Sequence, residues 1–280
     1  MGEGRCFVFG GRKQDQRDLV TRYESKYIIP KSLVCALRRF VEPFCIPDPY
    51  ARGCPPEYTI TTLQLDDPWL SLHYAKEREA LSRFKLRART YGEIGSSPMF
   101  AEVKAKLEQT IVKSRVAIPY GVWSKDLVFG VKVPSCFKSE RQEVDFLQFK
   151  RLVWELGARP VLLVRYVRES YIGAIDRYAR VTFDRKLQYQ MTDSWTDFGR
   201  SGQWRSMDST EAQGFGLPYS GLVMEVKTLS HMPVWVLDMV EKFQLKKIGN
   251  CKYSTALWRE GAFRGYPETN EEAAEALTQI

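Results

Sequence analysis

The stretch Ser82–Gly92, SRFKLRARTYG, limits what this chain can fold into more than any other. Arg83, Lys85, Arg87 and Arg89 alternate with Phe84, Leu86, Ala88 and Thr90. Successive side chains of a β-strand point to opposite faces, so all four cations share one face. Cations two apart sit about 6–7 Å from each other. At an effective dielectric of about 20, each neighbouring pair repels by roughly 2 kcal/mol. Either this is a solvated edge strand whose charges discourage edge-to-edge pairing, or an anion or a set of carboxylates offsets the repulsion. The same alternation recurs along the chain, which favours the second.

Taken in order, residues 1–20 read as a polar lead-in. Thr21–Pro30 is a strand with Arg22, Glu24, Lys26 and Ile28 on one face. Pro30 then starts a helix with Leu33, Leu37, Phe40 and Val41 at helical spacing, and the proline-rich Pro43–Pro56 reads as a loop. Glu57–Leu65, Ser82–Gly92, Phe100–Leu107 and Thr110–Pro119 are strands; a short helical turn through Leu70–Arg78 leads into the second of them. Phe100, Glu102, Lys104 and Lys106 share a face, and Lys113 and Arg115 continue the pattern. Glu140–Gly157 is an amphipathic helix with Val144, Leu147, Leu152 and Leu156 as its inner stripe and Gly157 as its stop. Two strands follow, Pro160–Tyr171 with Tyr166 and Arg168 on one face, and Asp176–Arg185 with Tyr178, Arg180, Thr182 and Asp184. Lys186–Ser220 reads as a long excursion with weak structure. Gly221–Thr228 is the last strand, with Val223, Glu225 and Lys227 together, and a helix runs from Pro233 to about Lys247. Residues 261–280 form an acidic tail. Eight antiparallel strands suffice to close a barrel whose interior holds a ligand. The expected fold is therefore α+β, a closed eight-stranded antiparallel barrel over residues 21–260 with helices packed outside.

Lys and Arg number 42 against 34 Asp and Glu, a net charge of +8, so the natural partner is an anion. No apolar run reaches membrane-span length and the first residues carry no signal-peptide core, so a soluble, cytoplasmic protein is expected. The six cysteines show no CxxC spacing and read as reduced. With only His73 and His231, histidine-based zinc or acid–base chemistry is disfavoured, and both read as surface or packing residues.

Glu-x-Lys occurs in three strands, as Glu24/Lys26, Glu102/Lys104 and Glu225/Lys227. The opposite faces carry Ala101, Val103, Leu222, Met224 and Val226, which suit packing under helices. The charged faces would then line a wet lumen. Arginine forks bind phosphate oxygens bidentately, and lysines act as point charges. Carboxylates can hold a hard divalent cation that bridges phosphate oxygens; Glu24 and Glu102 serve equally well to neutralise neighbouring lysines. Phosphoryl transfer needs little beyond positioning and electrostatic stabilisation. The chain has no Gly-Lys dipeptide, which excludes a P-loop.

The stretches RYESKYIIP, KLRARTYG, AEVKAKLEQTIVKSRVAIP, RPVLLVRYVRESYIG, RVTFDRKL, MEVKT and CKYSTA, in this order, resemble the polyphosphate polymerase domain of the vacuolar transporter chaperone (VTC) family. That family belongs to the triphosphate tunnel metalloenzymes, the CYTH-like superfamily. The resemblance implies phosphate-binding roles for Lys26, Arg87, Arg89, Lys104, Lys113, Tyr166, Arg168, Arg180 and Lys252, and metal binding by Glu225. Lys85, Arg115 and Lys227 join the lumen by strand alternation. Where the family often reads Ser-Lys-Tyr, this chain has Cys251-Lys252-Tyr253, and the superfamily's Glu-x-Glu-x-Lys is reduced to Glu24-x-Lys26 behind Arg22.

What the resemblance implies is a Mn²⁺- or Mg²⁺-dependent polyphosphate polymerase that moves the ATP γ-phosphate onto a growing chain. Arg87, Arg89 and Lys252 would stabilise the transferred group, with Glu225 holding the metal. Coupling to export would need a membrane-protein partner. A triphosphate or nucleoside-triphosphate hydrolase of the same fold is the alternative, and a non-catalytic anion-binding module comes third. Nucleic acid is disfavoured as a ligand, since no recognised motif or helix-borne basic patch is present.

Overall fold

The computed structural model describes residues 23–108, 110–131, 135–175, 178–199, 202–207, 222–229 and 232–261. The lead-in 1–20, residues 262–280 of the tail, His231 and the stretch 208–221 lie outside them.

One antiparallel sheet dominates. Its strands are β1 (Tyr23–Ile29), β2 (Cys45–Pro47), β3 (Glu57–Asp66), β4 (Ser82–Tyr91), β5 (Met99–Leu107), β6 (Thr110–Ile118), β7 (Arg159–Gly173), β8 (Arg180–Met191), β9 (Arg205–Ser206) and β10 (Leu222–Thr228). The order across the sheet is β1-β10-β8-β7-β3-β4-β5-β6, with β2 beside β7 and β9 beside β8. Among the described residues no pairing joins β1 to β6, so the expected closed barrel is corrected to a curled half-barrel with two edges. Side chains span the curl even so: Lys104 Nζ of β5 lies 3.5 Å from Glu24 Oε2 of β1.

The alternation predicted from the sequence divides the sheet into an outer apolar face and an inner charged one. Outer residues of β3–β6, among them Leu63, Leu86, Ala101, Val103 and Val116, pack under α4 (Glu140–Leu156) and α3 (Lys125–Phe129). Outer residues of β1, β8 and β10, among them Tyr27, Ile29, Phe183, Met224 and Val226, pack under α1 (Val34–Val41) and α5 (Val234–Lys242). Pro30 sits at the N-cap of a short 3-10 turn, Lys31–Leu33, that runs into α1. Arg38 of α1 forks onto buried Glu169 of β7 with two bonds of 2.6 Å, which ties that helix to the sheet.

Four further expectations are corrected. Pro43–Pro56 contains strand β2, paired with Tyr171–Gly173. Lys186–Ser220 is not weakly structured where described: β8 runs on to Met191, and Trp195 and Phe198 are core residues, the former held by a 2.7 Å bond from Trp123 Nε1 to its carbonyl. The buried stripe of α4 is Phe146, Phe149, Leu152 and Val153, while Leu147 is exposed. Leu152 is buried as expected and Leu156 packs against the core, while the rings of Phe146 and Phe149 take the place of Leu147. Finally, not every helix lies outside. Tyr253, Ala256 and Leu257 of α6 (Lys252–Glu260) pack on inner-face residues Ile60, Leu162, Val164, Tyr166 and Val223.

A bulge in β8 makes room for that helix. Arg165 pairs with Gln188 and Val167 with Arg185, and Lys186 has a φ of 52°. The extra residue shifts the alternation, so Leu187 and Tyr189 join the inner apolar cluster although Thr182 and Asp184 already share that face. α2 (Ser71–Glu77) is anchored through Asp66, whose carboxylate accepts from the backbone N–H of Asp67, Leu72 and His73 and from Tyr253 Oη. His73 is a buried packing residue, one of the two expected placements, with Nδ1 3.1 Å from Ser254 Oγ.

Phe149→Ala should destabilise the protein by about 3–5 kcal/mol, the usual range for removing a buried aromatic ring. Urea denaturation measures it, and a loss below about 1 kcal/mol would contradict the packing of α4 on the sheet.

Candidate active site

The inner face gathers its charges into two groups and a bridge. The first is built by β4, β5 and β6. Glu102 is fully buried and surrounded by cations: Arg87 Nε at 2.6 Å, Arg115 Nε at 3.5 Å, and Arg89 Nη1 and Lys113 Nζ at 3.9 Å. The register places these residues together, with Arg87 opposite Glu102 and Glu102 opposite Arg115. Arg89 also donates from Nε to Thr62 Oγ1 at 3.1 Å, and the Arg115 guanidinium lies 3.8 Å over the Phe100 ring. Burial alone would push the Glu102 carboxyl up, but Arg87, Arg89, Lys113 and Arg115 override it and hold it at about 2. Burial depresses Lys113 to about 8, with Glu102 only partly opposing and the arginines adding repulsion.

The second group is built by β7, β8, β10 and the start of α6. Arg168 forks onto Asp184, with Nε–Oδ1 at 2.6 Å and Nη2–Oδ2 at 2.8 Å, and reaches Glu225 Oε2 at 3.1 Å. Lys252 Nζ donates to Asp184 Oδ2 at 2.8 Å and sits 4.7 Å from the centre of the Tyr166 ring. Lys227 Nζ pairs with Glu225 Oε1 at 3.0 Å. Burial opposes ionisation at Asp184, but Arg168 and Lys252 keep its carboxyl below the usual range. Lys252 is positioned indirectly by the bond from Tyr253 to Asp66.

Between them, β1 supplies the bridge. Lys26 lies 3.4 Å from Glu24 Oε1 and donates to the Asn250 carbonyl at 3.0 Å, while Glu24 Oε2 meets Lys104. Burial lowers Lys104, Glu24 opposes that, and the charges of Arg87, Lys26 and Lys227 lower it further, so cations from both groups act on it. Lys85 donates to Cys251 Sγ at 3.0 Å. Burial would raise that thiol, but the Lys85 charge and its hydrogen bond, with help from Ser254, bring it down to about 6.

The structure thus brings Lys26, Lys85, Arg87, Arg89, Lys104, Lys113, Arg115, Tyr166, Arg168, Lys227 and Lys252 onto one concave face. Arg180 stands beside Lys227 across β8 and β10 and is exposed at the rim. Of the three candidate metal carboxylates, Glu102 shares no ion-pair partner with the other two. Glu24 and Glu225 are the closer two, diagonal neighbours on β1 and β10. Burial works against ionised Glu225, yet Lys227 and Arg168, with Lys26, hold its carboxyl well below the usual range. The four oxygens of the pair face Lys26, Lys104, Lys227 and Arg168, and Mg²⁺, typically held by one or two carboxylates plus substrate phosphates, would take the place of some of these partners. The pair fits such an ion, although among the described residues no group of three or more His, Cys, Asp or Glu forms a complete cage. Asp184 and Thr62 were not among the predicted site residues. Asp184 was legible as sharing a face with Arg180, whereas the Thr62 contact depends on the order of β3 and β4 in the sheet.

A curled antiparallel sheet with a cation-lined inner face defines an anion-binding half-barrel. The VTC domain model matches residues 21–258, and the chain belongs to the VTC domain family. No curated protein sequence matches it. Among solved structures, the PH1819 protein of Pyrococcus horikoshii OT3 aligns over 87% of this chain and 99% of its own, at 11% identity and a TM-score of 0.41. A Hippeastrum protein, described as an adenylyl cyclase with a dominant triphosphatase activity, covers 85% of this chain and 95% of its own at 15% identity and a TM-score of 0.44. The triphosphatase of the Mimivirus capping enzyme covers 82% and 92% at 7% identity and a TM-score of 0.31. Among the described residues, no helix is long and apolar enough to cross a membrane.

Two outcomes follow from the pKa directions. A carboxyl held at about 2 against an ordinary 4.5 contributes stability that is complete above about pH 5 and lost as pH falls from 4.5 towards 2. Glu102→Gln should therefore flatten that part of the acid-unfolding profile and cost about 3 kcal/mol or more at pH 7, where it leaves the arginines uncompensated. Lys113 at about 8 is partly neutral at pH 8, and an anion beside it restores its charge. Binding of sulfate, which does not titrate in this range, should then take up a proton near pH 8, and Lys113→Met should abolish that uptake. Calorimetry in buffers of different ionisation enthalpy reads this, and uptake unchanged in Lys113→Met would contradict it.

Proposed function

We propose that the chain is a metal-dependent polyphosphate polymerase, transferring the terminal phosphoryl group of ATP onto a growing polyphosphate chain within the half-barrel. The observation that carries this reading is the run of cations beyond Glu102. Lys85 lies opposite Lys104, and Arg83 opposite Lys106. Like charges directly opposite each other destabilise a sheet. From Arg83 to Arg89 the ladder extends for about 20 Å at roughly 3.3 Å per residue. A triphosphate seated at the Glu102 group would leave the far pairs to Glu24 and Cys251 alone; a longer polyanion engages them all. Membership of the VTC domain family supports the same reading.

In this mechanism the chain's residues mainly position and neutralise. Arg87 and Arg89, pre-set by Glu102 and Thr62, face the oxygens of the transferring phosphoryl group. Arg168 and Lys252, oriented by Asp184, hold the adjoining phosphates, assisted by the positive end of the nine-residue α6. Mn²⁺ or Mg²⁺ at Glu24 and Glu225 would spread the charge that builds on the phosphate oxygens. A terminal oxygen of the polyphosphate attacks the γ-phosphorus, the bond to the β-phosphate oxygen breaks, and ADP leaves. Lys104, Lys85 and Lys113 then accompany the product.

With γ-labelled ATP and Mn²⁺, gel sizing should show a ladder of long anionic products, and Arg89→Ala should lower turnover by about 100-fold or more with the fold intact. Free phosphate alone would assign a triphosphatase to the same site. Full activity of Arg89→Ala would overturn the assignment of the site.

A further inference from the structure

Thr182 lies near the start of β8, directly opposite Glu225 of β10 on one side and Ser170 of β7 on the other. Opposed residues of an antiparallel pair present their side chains to one face, with Cβ atoms about 5 Å apart. The Thr182 hydroxyl therefore belongs to the inner face, beside the Glu225 carboxylate. The residue is 5% exposed, yet its Oγ1 has no hydrogen-bond partner. Its neighbours are engaged elsewhere. Ser170 Oγ donates to Asp48 Oδ2 at 3.0 Å, and the Glu225 oxygens are taken by Arg168 and Lys227. Thr61 and Thr228 also carry buried hydroxyls without partners, but alternation puts both on the helix-facing side of the sheet. Among the described residues, only at Thr182 does such a hydroxyl stand beside the Glu24–Glu225 pair.

A buried hydroxyl without a partner destabilises the fold that keeps it, and valine would fill the same volume without that penalty. The hydroxyl stands where two carboxylates lie on neighbouring strands. A third carboxylate there would deepen their repulsion, whereas a hydroxyl adds a hard oxygen donor without charge.

We propose that Thr182 is a further ligand of the divalent-cation site formed by Glu24 and Glu225, donating through Oγ1. The proposal rests on the reading of that pair as a cation site. It assigns the residue a binding role that a packing threonine does not have, and the two roles differ in sign when the hydroxyl is removed.

Wild type, Thr182→Val, Thr182→Ser and Glu225→Gln are titrated with Mn²⁺ alone, following the free ion by electron paramagnetic resonance. Each is also melted in metal-free buffer. Thr182→Val should bind Mn²⁺ about tenfold more weakly or worse, Thr182→Ser should stay within about threefold of wild type, and Glu225→Gln should lose binding. Without metal, Thr182→Val should melt at or above the wild-type temperature. A lower melting temperature, or failure to fold, would show that the hydroxyl is structural and overturn the proposal. Unchanged Mn²⁺ affinity in Thr182→Val, with binding lost in Glu225→Gln, would overturn the Thr182 assignment alone. No Mn²⁺ binding by wild type, or none lost in Glu225→Gln, would overturn the cation-site reading with it.

Discussion

Everything on the inner face depends on the surplus of positive charge that a few buried carboxylates have to hold together. Glu102 faces Arg87, Arg89, Lys113 and Arg115, and Asp184 faces Arg168 and Lys252. Each carboxylate is fully buried and would be costly there alone. Each cation group would be equally unfavourable without its carboxylate. The result is a pre-set array whose side chains are already oriented before any ligand arrives. Preorganisation of this kind is what makes donors effective towards developing charge, because little has to rearrange when the charge appears.

Curvature turns this array from a surface into a site. A flat sheet in the same strand order would set β1 and β5 six strands apart. The observed curl brings Glu24 of β1 within 3.5 Å of Lys104 of β5. One side of the concavity is then occupied by α6, whose apolar residues cover the inner surface of β7 and whose first residue is Lys252. Asp66 fixes both α2 and Tyr253, so a single buried carboxylate at the end of β3 governs where that lysine stands. Burial raises the Asp66 carboxyl above its ordinary range, and the hydrogen bonds from Leu72, Tyr253 and His73 oppose it only in part.

The face of each strand was legible in the sequence; the shape of the sheet was not. Alternation assigned Lys26, Arg87, Glu102, Arg168 and Glu225 to one surface because a period of two is a local property. Whether β6 returns to β1 depends on accumulated twist and bulges across eight strands, which no local pattern encodes. The backbone of β1 is met instead by the segment at Lys247 and Ile248, through a bridge to Tyr27 and a bond to the Lys26 carbonyl. The bulge at Lys186 is invisible for the same reason, and it hides the fact that Leu187 turns inward after Asp184. Composition also misled. Lys186–Ser220 looked unstructured for its glycines and serines, yet Trp195 and Phe198 are buried in the main core. The three candidate carboxylates were legible as a set, but only the strand order separates Glu102 from Glu24 and Glu225.

The same ion pairs bear on how a polyanion could move through such a site. Bare cations at this density would hold a phosphate chain too tightly to release it, since each charged contact adds affinity and a processive enzyme must let its product slide. Here the carboxylates remain as alternative partners. When a phosphate leaves Arg87, Glu102 is 2.6 Å away to replace it, and Asp184 does the same for Arg168 and Lys252. Binding becomes an exchange of one anionic partner for another, and its net free energy is a small difference between large terms. On the proposed reading, the buried acids therefore do more than make the empty fold tolerable. They set the affinity low enough that a growing chain can advance along Lys85, Lys104 and Lys113 without being trapped.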